Sequence, residues 1–223
     1  MDAHTQQPTA ETYGDFQFAY TELNCLLFGN RLPEVMFTLA RTRHAYGYII
    51  PEGFSPTETG ESAGTATIAE IGLNPATFAD RTAEQVLSTV AHEMVHLEQY
   101  ISKTLGSNGY HNLDFARRMH AIGLQASDTG KPGGATTGQH MTHYVIDGGA
   151  FQAVAADLIG QGWSIRYASP IESLDEKRRK AQRGASKSKY TCPGCGTNVW
   201  GKPGLSILCT DFSHYPVQML PSN

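Results

Sequence analysis

Histidines at positions 92 and 96 flank a glutamate, Glu93, in the stretch "TVAHEMVHLEQY". Residues four apart on an α-helix stand one above the other, so two imidazoles at this spacing can reach one tetrahedral metal ion. Glu93 is turned about a quarter-circle from His92, too far round to ligate the same ion but beside its open position. Ligands that hold an ion, with a carboxylate next to the attacked position, are what metal-assisted hydrolysis needs. The bland alternative is a pair of core or surface histidines. At about 100° per residue, Ala83, Leu87, Val90, Met94, Leu97 and Ile101 cluster on one face. His92 and His96 lie opposite, in a stripe shared with Gln85, Ser88 and Gln99. Histidines that merely filled a core would belong to the apolar stripe, and these do not.

A catalytic ion wants a third protein ligand and an open position. The extended pattern H-E-x-x-H-x-x-G-x-x-H puts a histidine at 102, where Ser102 stands, and no glutamate occurs between Glu98 and Glu172. A histidine is therefore expected. His111 precedes a helix and shares a face with Phe115, Met119 and Ile122, the side that must pack inward. His120 lies about 180° round that helix and is expected in solvent. His140 and His143 flank a later strand; they are rival ligands, read as polar groups of a cleft wall or surface. Asp114 is either an acceptor for a ligand's second nitrogen or an exposed helix carboxylate. Tyr110 and Tyr144 are packing residues unless they donate to a developing oxyanion.

The elements that must position these groups follow from periodicity and turn chemistry. "ETYGDFQFAYTELNCLLFG" reads as an amphipathic helix ending near Gly29, with Cys25 expected in the core. "EVMFTLA" and "AYGYIIP" are β-rich and form a predicted hairpin through "RTRH". After the loop "SPTETGESAG", "TATIAEIGLN" is a third strand, expected at the sheet edge, where an extended peptide would add. Thr82 and Gln85 form a capping box that opens a helix running to about Leu105, before Gly106. A second helix covers Asn112 to Ile122 and stops at Gly123. A flexible Gly-rich loop, "SDTGKPGGATTGQ", leads to a strand "HMTHYVI", a helix "GAFQAVAADLIG" and a strand "WSIRYA". The mixture predicts an α+β fold without internal repeats.

With 223 residues, 40% hydrophobic and 17% charged, the chain suits one folded domain with a small appendage. No apolar run approaches the ~20 residues of a membrane span, so no membrane partner is expected. The opening "MDAHTQQPTAETYGD" lacks an export signal's basic and apolar regions, and four cysteines, three of them near the C-terminus, make no disulfide framework. A cytoplasmic location is the expectation. The net charge of −4 hides an asymmetry: residues 1–176 carry twenty acids against nine Lys/Arg, and residues 177–223 carry eight Lys/Arg against Asp211 alone. Lys177, Arg178, Arg179, Lys180, Arg183, Lys187 and Lys189 crowd one short run, which points to a polyanionic partner.

In "LFGNRLPEVMFTL", "GYIIPEGF", "IGLNPATFADRTAEQVLSTVAHEMVHLEQY", "GYHNLDFARRMHAIGL" and "YTCPGCGTNVWGKPGLSILC", taken in order, the chain resembles the SprT-like metallopeptidases, which include Spartan-type DNA–protein crosslink proteases. The segment "SDTGKPGGATTGQHMTHYVIDGGAF" is similar to the bacterial and mobile-element branch. The resemblance implies a zincin-like minimal core with His92, His96 and His111 as zinc ligands, Glu93 as acid/base and a C-terminal zinc ribbon. It divides the chain into a metallopeptidase domain over 12–168, a basic linker over 169–189 and a ribbon-like segment over 190–215. One departure stands out: a second C-x2-C pair would put a cysteine at 212, where Phe212 stands. Cys192, Cys195 and Cys209 remain, and His214 can complete a Cys3His site, Asp211 being a poorer substitute. The alternative is a metal-free ribbon held by Trp200, Pro203, Leu205 and Ile207.

The expected function is a zinc-dependent endopeptidase with one catalytic and a second, structural Zn²⁺, acting on protein or peptide substrates and meeting DNA through its basic tail. The alternative is a non-catalytic nucleic-acid-binding or regulatory protein whose zinc sites are structural; Glu93 weighs against it.

Overall fold

Pro8, in the first turn, starts helix α1 (Pro8–Phe28), which ends at Gly29. Phe16, Tyr20 and Leu23 recur at helical spacing and are buried. The computed structural model to which these elements belong describes residues 7–42, 45–57, 67–169 and 187–222. Cys25 is exposed rather than in the core. Asn24 takes the inward position beside Leu23, donating to the Leu32 carbonyl (2.9 Å) and accepting from the Leu32 N–H (3.2 Å). Cys25 is thereby turned outward.

Three strands follow, β1 (Val35–Leu39), β2 (Gly47–Phe54) and β3 (Ile68–Leu73), in the order β1-β3-β2. β3 runs parallel to β1 (Phe37 opposite Ile71) and antiparallel to β2 (Ile49 opposite Ile71). The predicted β1–β2 hairpin is therefore corrected, and so is β3's place at the edge. Ala69, Ile71 and Leu73, on alternate positions of β3, are almost completely buried, and the central place gives that apolar strand backbone partners on both sides. Thr38 and Tyr48, from the flanking strands, both donate to Glu70 Oε1, at 2.6 and 2.7 Å. β2 is left as an edge.

Thr82 caps helix α2 (Ala83–Ile101) through the reciprocal box with Gln85, an arrangement worth about 1 kcal/mol. The helix ends four residues short of Leu105, because Lys103 takes a left-handed conformation (φ 57°) and the Thr104 N–H closes on the Gln99 carbonyl. Asn112 caps helix α3 (Leu113–Ala121) by accepting the Phe115 N–H at 2.9 Å. Strand β4 (Leu124–Ser127), which periodicity does not reveal, pairs antiparallel with β5 (Thr142–Val145). The Gly-rich loop between them is not slack: Ser127 Oγ donates to the Lys131 carbonyl (2.7 Å) and the Ala135 N–H to Asp128 (2.9 Å). Helix α4 (Ala150–Gly160) buries Phe151, Ala155 and Leu158. "WSIRYA" is no strand. It runs back along α1, with Trp163 Nε1 donating to the Asp15 carbonyl and Arg166 paired with Asp15.

The chain divides into two compact units at 170/171. The second contains β6 (Ser188–Thr191), β7 (Asn198–Gly201), β8 (Leu208–Cys209), β9 (Val217–Gln218) and β10 (Leu220–Ser222). β6 lies between β7 and β10, and β8 pairs with β9. The unit thus begins before 190 and continues past 215. Lys177, Arg178, Arg179, Lys180 and Arg183 lie outside the described residues. The architecture is α+β, and among the described residues no helix is long and apolar enough to cross a membrane.

Candidate metal centre

α2 is buried nearly all round, not along one stripe. Its apolar face meets the core, while its histidine face lines a cleft of about 730 Å³ also bordered by β2 and by residues 139–143. The structure brings His92, His96 and His111 together, each offering a ring nitrogen within 4.8 Å of the others. Nε2 of His92 and Nε2 of His111 are 3.3 Å apart. All three rings rest on Phe115, at centroid distances of 4.9, 4.5 and 4.7 Å. Phe115 is the rigid apolar floor of the group.

His111 is held from two sides. Asn112, next in the chain, is tied to α2 by Gln99 Nε2 (3.0 Å) and donates to the Thr104 carbonyl (2.9 Å). From the other side, His111 and Gly138 exchange backbone hydrogen bonds of 2.9 and 3.1 Å. The His111 ring adds Nδ1 donation to the Gly138 carbonyl at 3.3 Å, which fixes Nε2 as the nitrogen facing His92. The glycine-rich loop is thus part of the site. Asp114 does not touch a histidine; Thr104, Gln99 and Arg118 occupy its carboxylate instead.

Burial depresses the basicity of the ring nitrogens. His92 is held well below the ordinary histidine range, by burial first and then by His143, His96 and His111. His96 is pushed down to about 4 by burial and the neighbouring His111, and His111 is lowered mainly by burial. Neutral imidazoles carry free lone pairs, the state a metal requires. His96 Nδ1 is buried with no hydrogen-bond partner among the described residues.

Glu93 sits one position beyond His92, buried and lining the same cleft. Its carboxyl is pushed up to about 8 by burial. Gly47 of β2 is what lets the strand pass so close: a Cβ there would stand 2.9 Å from Thr89 Cγ2 and 3.1 Å from Glu93 Oε1. Edge strand β2 contributes Gly47, Ile49 and Pro51 to the cleft wall, the alternate positions that share one face of a strand.

His120 is exposed. His140 lines the cleft and is exposed. His143 touches His92, but at Nδ1 (3.1 Å), the nitrogen remote from His111. A single ion cannot join both sides of that ring, so His143 does not belong to the ligand group. Tyr110 lines the cleft, whereas Tyr144, opposite Gln125 on β4, is not among its lining residues. Tyr46, which no sequence signal singles out, is in the wall with the Arg81 guanidinium 4.2 Å from its ring centre.

In the small unit, Cys192, Cys195, Cys209 and His214 form a second cluster, all within 4.8 Å. Cys192 Sγ lies 3.2 Å from His214 Nε2, and Cys195 Sγ lies 3.7 Å from Cys209 Sγ. The Gly194 and Cys195 N–H groups point at Cys192 Sγ, at 3.3 and 3.5 Å. Gly194 admits the imidazole: a Cβ there would fall 2.6 Å from His214 Cδ2. The Tyr215 carbonyl, at 2.7 Å, holds His214 Nδ1 as a donor and leaves Nε2 toward the sulfurs. Phe212 is fully exposed and takes no part.

Two histidines one helical turn apart, a third just ahead of the next helix and a buried carboxylate beside them form a candidate metal centre on an α+β scaffold. The chain belongs to the SprT-like family, generally one of metallopeptidases, whose model matches residues 17–137. It is also 43% identical over 53 residues to an uncharacterised protein in the mucB 3′ region of Salmonella typhimurium, covering 24% of this chain and 72% of that relative.

Proposed function

We propose that the chain is a zinc-dependent endopeptidase with a zincin-like core, acting on DNA-associated or DNA-crosslinked proteins. The observation that carries this reading is Glu93, buried and open to the same cleft as three converging, neutral imidazoles. The donor set fits zinc. Bonds of 2.0–2.1 Å at tetrahedral angles separate two ligand nitrogens by about 3.3 Å, and His92 and His111 already stand 3.3 Å apart. A zinc ion held there supplies Lewis-acid polarisation of the scissile carbonyl and makes water acidic enough to attack near neutral pH. Glu93 accepts the proton of the attacking water and returns it to the leaving amine. The free edge of β2 can pair with an extended substrate backbone, which would carry the scissile bond past Glu93. A purely structural zinc site has no use for such a carboxylate. The test is to give the zinc-loaded protein a DNA–protein crosslink and the same protein free. Cleavage favouring the crosslink supports the proposal, and failure to cut either sinks it.

A second zinc would offset the small unit's slight core. Among the described residues its buried core is Tyr190, Cys192 and Met219, little apolar burial to hold a fold unaided. Wild-type protein is expected to carry two zinc ions per chain by elemental analysis. His214→Ala or Cys192→Ser should lower the count to about one, because a structural site needs four ligands. A single ion in the wild type, unaffected by Cys192→Ser, would leave the ribbon metal-free.

DNA engagement rests on the tail's charge and on one described pair. Lys189 lies opposite Trp200 on antiparallel strands, and Trp200 is 63% exposed. Facing residues share a sheet side, so a cation adjoins a free aromatic surface suited to stacking on a single-stranded base. If four of the tail's seven cations engage single-stranded DNA, log K should fall against log salt with a slope of about −3. A fragment ending at Ser169, which keeps the acidic part, should bind weakly or not at all. Equal affinity of the two forms, in titrations over several salt concentrations, would reduce the tail to a linker.

A further inference from the structure

We propose that His143 is a positioning residue that fixes the ring of His92, by accepting its Nδ1–H, in the one tautomer whose Nε2 can bind a metal. The proposal rests on the zinc reading of the centre and deepens it. A chain of contacts runs away from His92: its Nδ1 lies 3.1 Å from His143 Nδ1, His143 Nε2 lies 2.8 Å from Ser88 Oγ, and Ser88 Oγ lies 2.9 Å from the Gln85 carbonyl. Taken from the far end, one direction for every hydrogen bond is self-consistent. The Gln85 carbonyl, which also receives Arg81 and Thr89, only accepts, and the proposal gives it the one Ser88 proton. Ser88 must then accept from His143, which places the His143 proton on Nε2 and leaves Nδ1 a lone pair. That lone pair faces His92, whose Nδ1 therefore carries the proton, and His92 Nε2 is left unprotonated beside His111.

The reverse polarity would put a proton on His92 Nε2 and close it to a metal. Ligating histidines ordinarily give their second N–H to a carboxylate, a carbonyl or water; here another imidazole takes that place. It is itself anchored one turn earlier on α2, the helix that bears His92. The loop–strand segment carrying His143 thereby orients a ligand without adding one.

The test compares His143→Phe and His143→Asn in the full chain by cobalt(II) titration. Thiolate charge-transfer absorption separates the cysteine-rich cluster from the histidine centre, whose affinity is read from its ligand-field bands. Phenylalanine keeps a ring but offers no acceptor, and the histidine centre should lose 10–100-fold in affinity, the usual cost of removing such a partner. Asparagine presents Oδ1 where Nδ1 stood and should restore binding to within a few-fold of wild type. Cobalt bound as tightly by His143→Phe as by wild type, or as weakly by His143→Asn as by His143→Phe, overturns the proposal while leaving the metal reading intact. Wild type that binds no cobalt at this centre overturns both. Ring-nitrogen NMR of zinc-loaded wild type makes the same decision without a variant. His143 protonated on Nε2 alone supports the chain, and a proton on its Nδ1 overturns it.

Discussion

Glu93→Gln protein is expected to fold, to retain its metal and to lose peptide hydrolysis by roughly 10²–10⁴ in kcat, the range that general-base catalysis contributes. The amide nearly matches the carboxylate in shape, so the narrow clearance under Gly47 is kept. None of the three ligand nitrogens changes. What disappears is a proton acceptor. In the metal-free chain, burial raises Glu93 to about 8, so the folded state holds its proton where the unfolded chain has released it. A cation in the centre favours the ionised form and draws that value down, leaving a carboxylate matched to moving a proton near neutral pH. Zinc content by elemental analysis and turnover of a peptide substrate, on the same preparations, check the two halves of this expectation. Undiminished turnover would remove Glu93 from the mechanism, and lost zinc would mean that the carboxylate helps hold the ion.

The local signals in the sequence were strong where a single element carried them. The Thr82–Gln85 box, the spacing of His92 and His96 and the inward face of Phe115 and Met119 each follow from one helix, and the structure has them. Pairings between distant segments were not legible. Adjacent β-rich runs suggest a hairpin, yet β3 enters between β1 and β2 because its Ala69, Ile71 and Leu73 face demands the central position. The edge exposed to the cleft is consequently β2. The helical wheel separated histidines from aliphatic residues on α2 but could not say that the polar face is covered too. That cover comes from Gly47, Phe115 and His143, which lie far off in the chain. Gly138 clamping His111 and Asn24 displacing Cys25 are likewise hydrogen-bond outcomes between groups whose types alone carry no spacing signal.

His111→Ala should empty the histidine centre and abolish activity, while His120→Ala leaves both nearly intact. Of the three rings, His111 alone comes from outside α2, so its loss leaves two nitrogens on one helix and half of a tetrahedron to solvent. The effect on affinity should exceed the 10–100-fold typical of losing an outer partner. Replacement by His143 is barred by its place at the Nδ1 side of His92, unless that ring turns over. His140 lines the cleft and is exposed, which makes it, among the described histidines, the one with freedom to move in. The comparison is therefore made with three proteins: His111→Ala, His120→Ala and the pair His111→Ala/His140→Ala, each assayed for metal content and peptide hydrolysis. His120 is exposed on α3, so its variant controls for the general cost of removing an imidazole from that helix. Full occupancy in His111→Ala that falls only when His140 is also removed would transfer the third ligand to His140. Full occupancy in both would show that the centre does not use a third histidine from this part of the chain. Loss in His111→Ala alone, with unchanged helical circular dichroism, ties the ion to the nitrogen that stands 3.3 Å from His92.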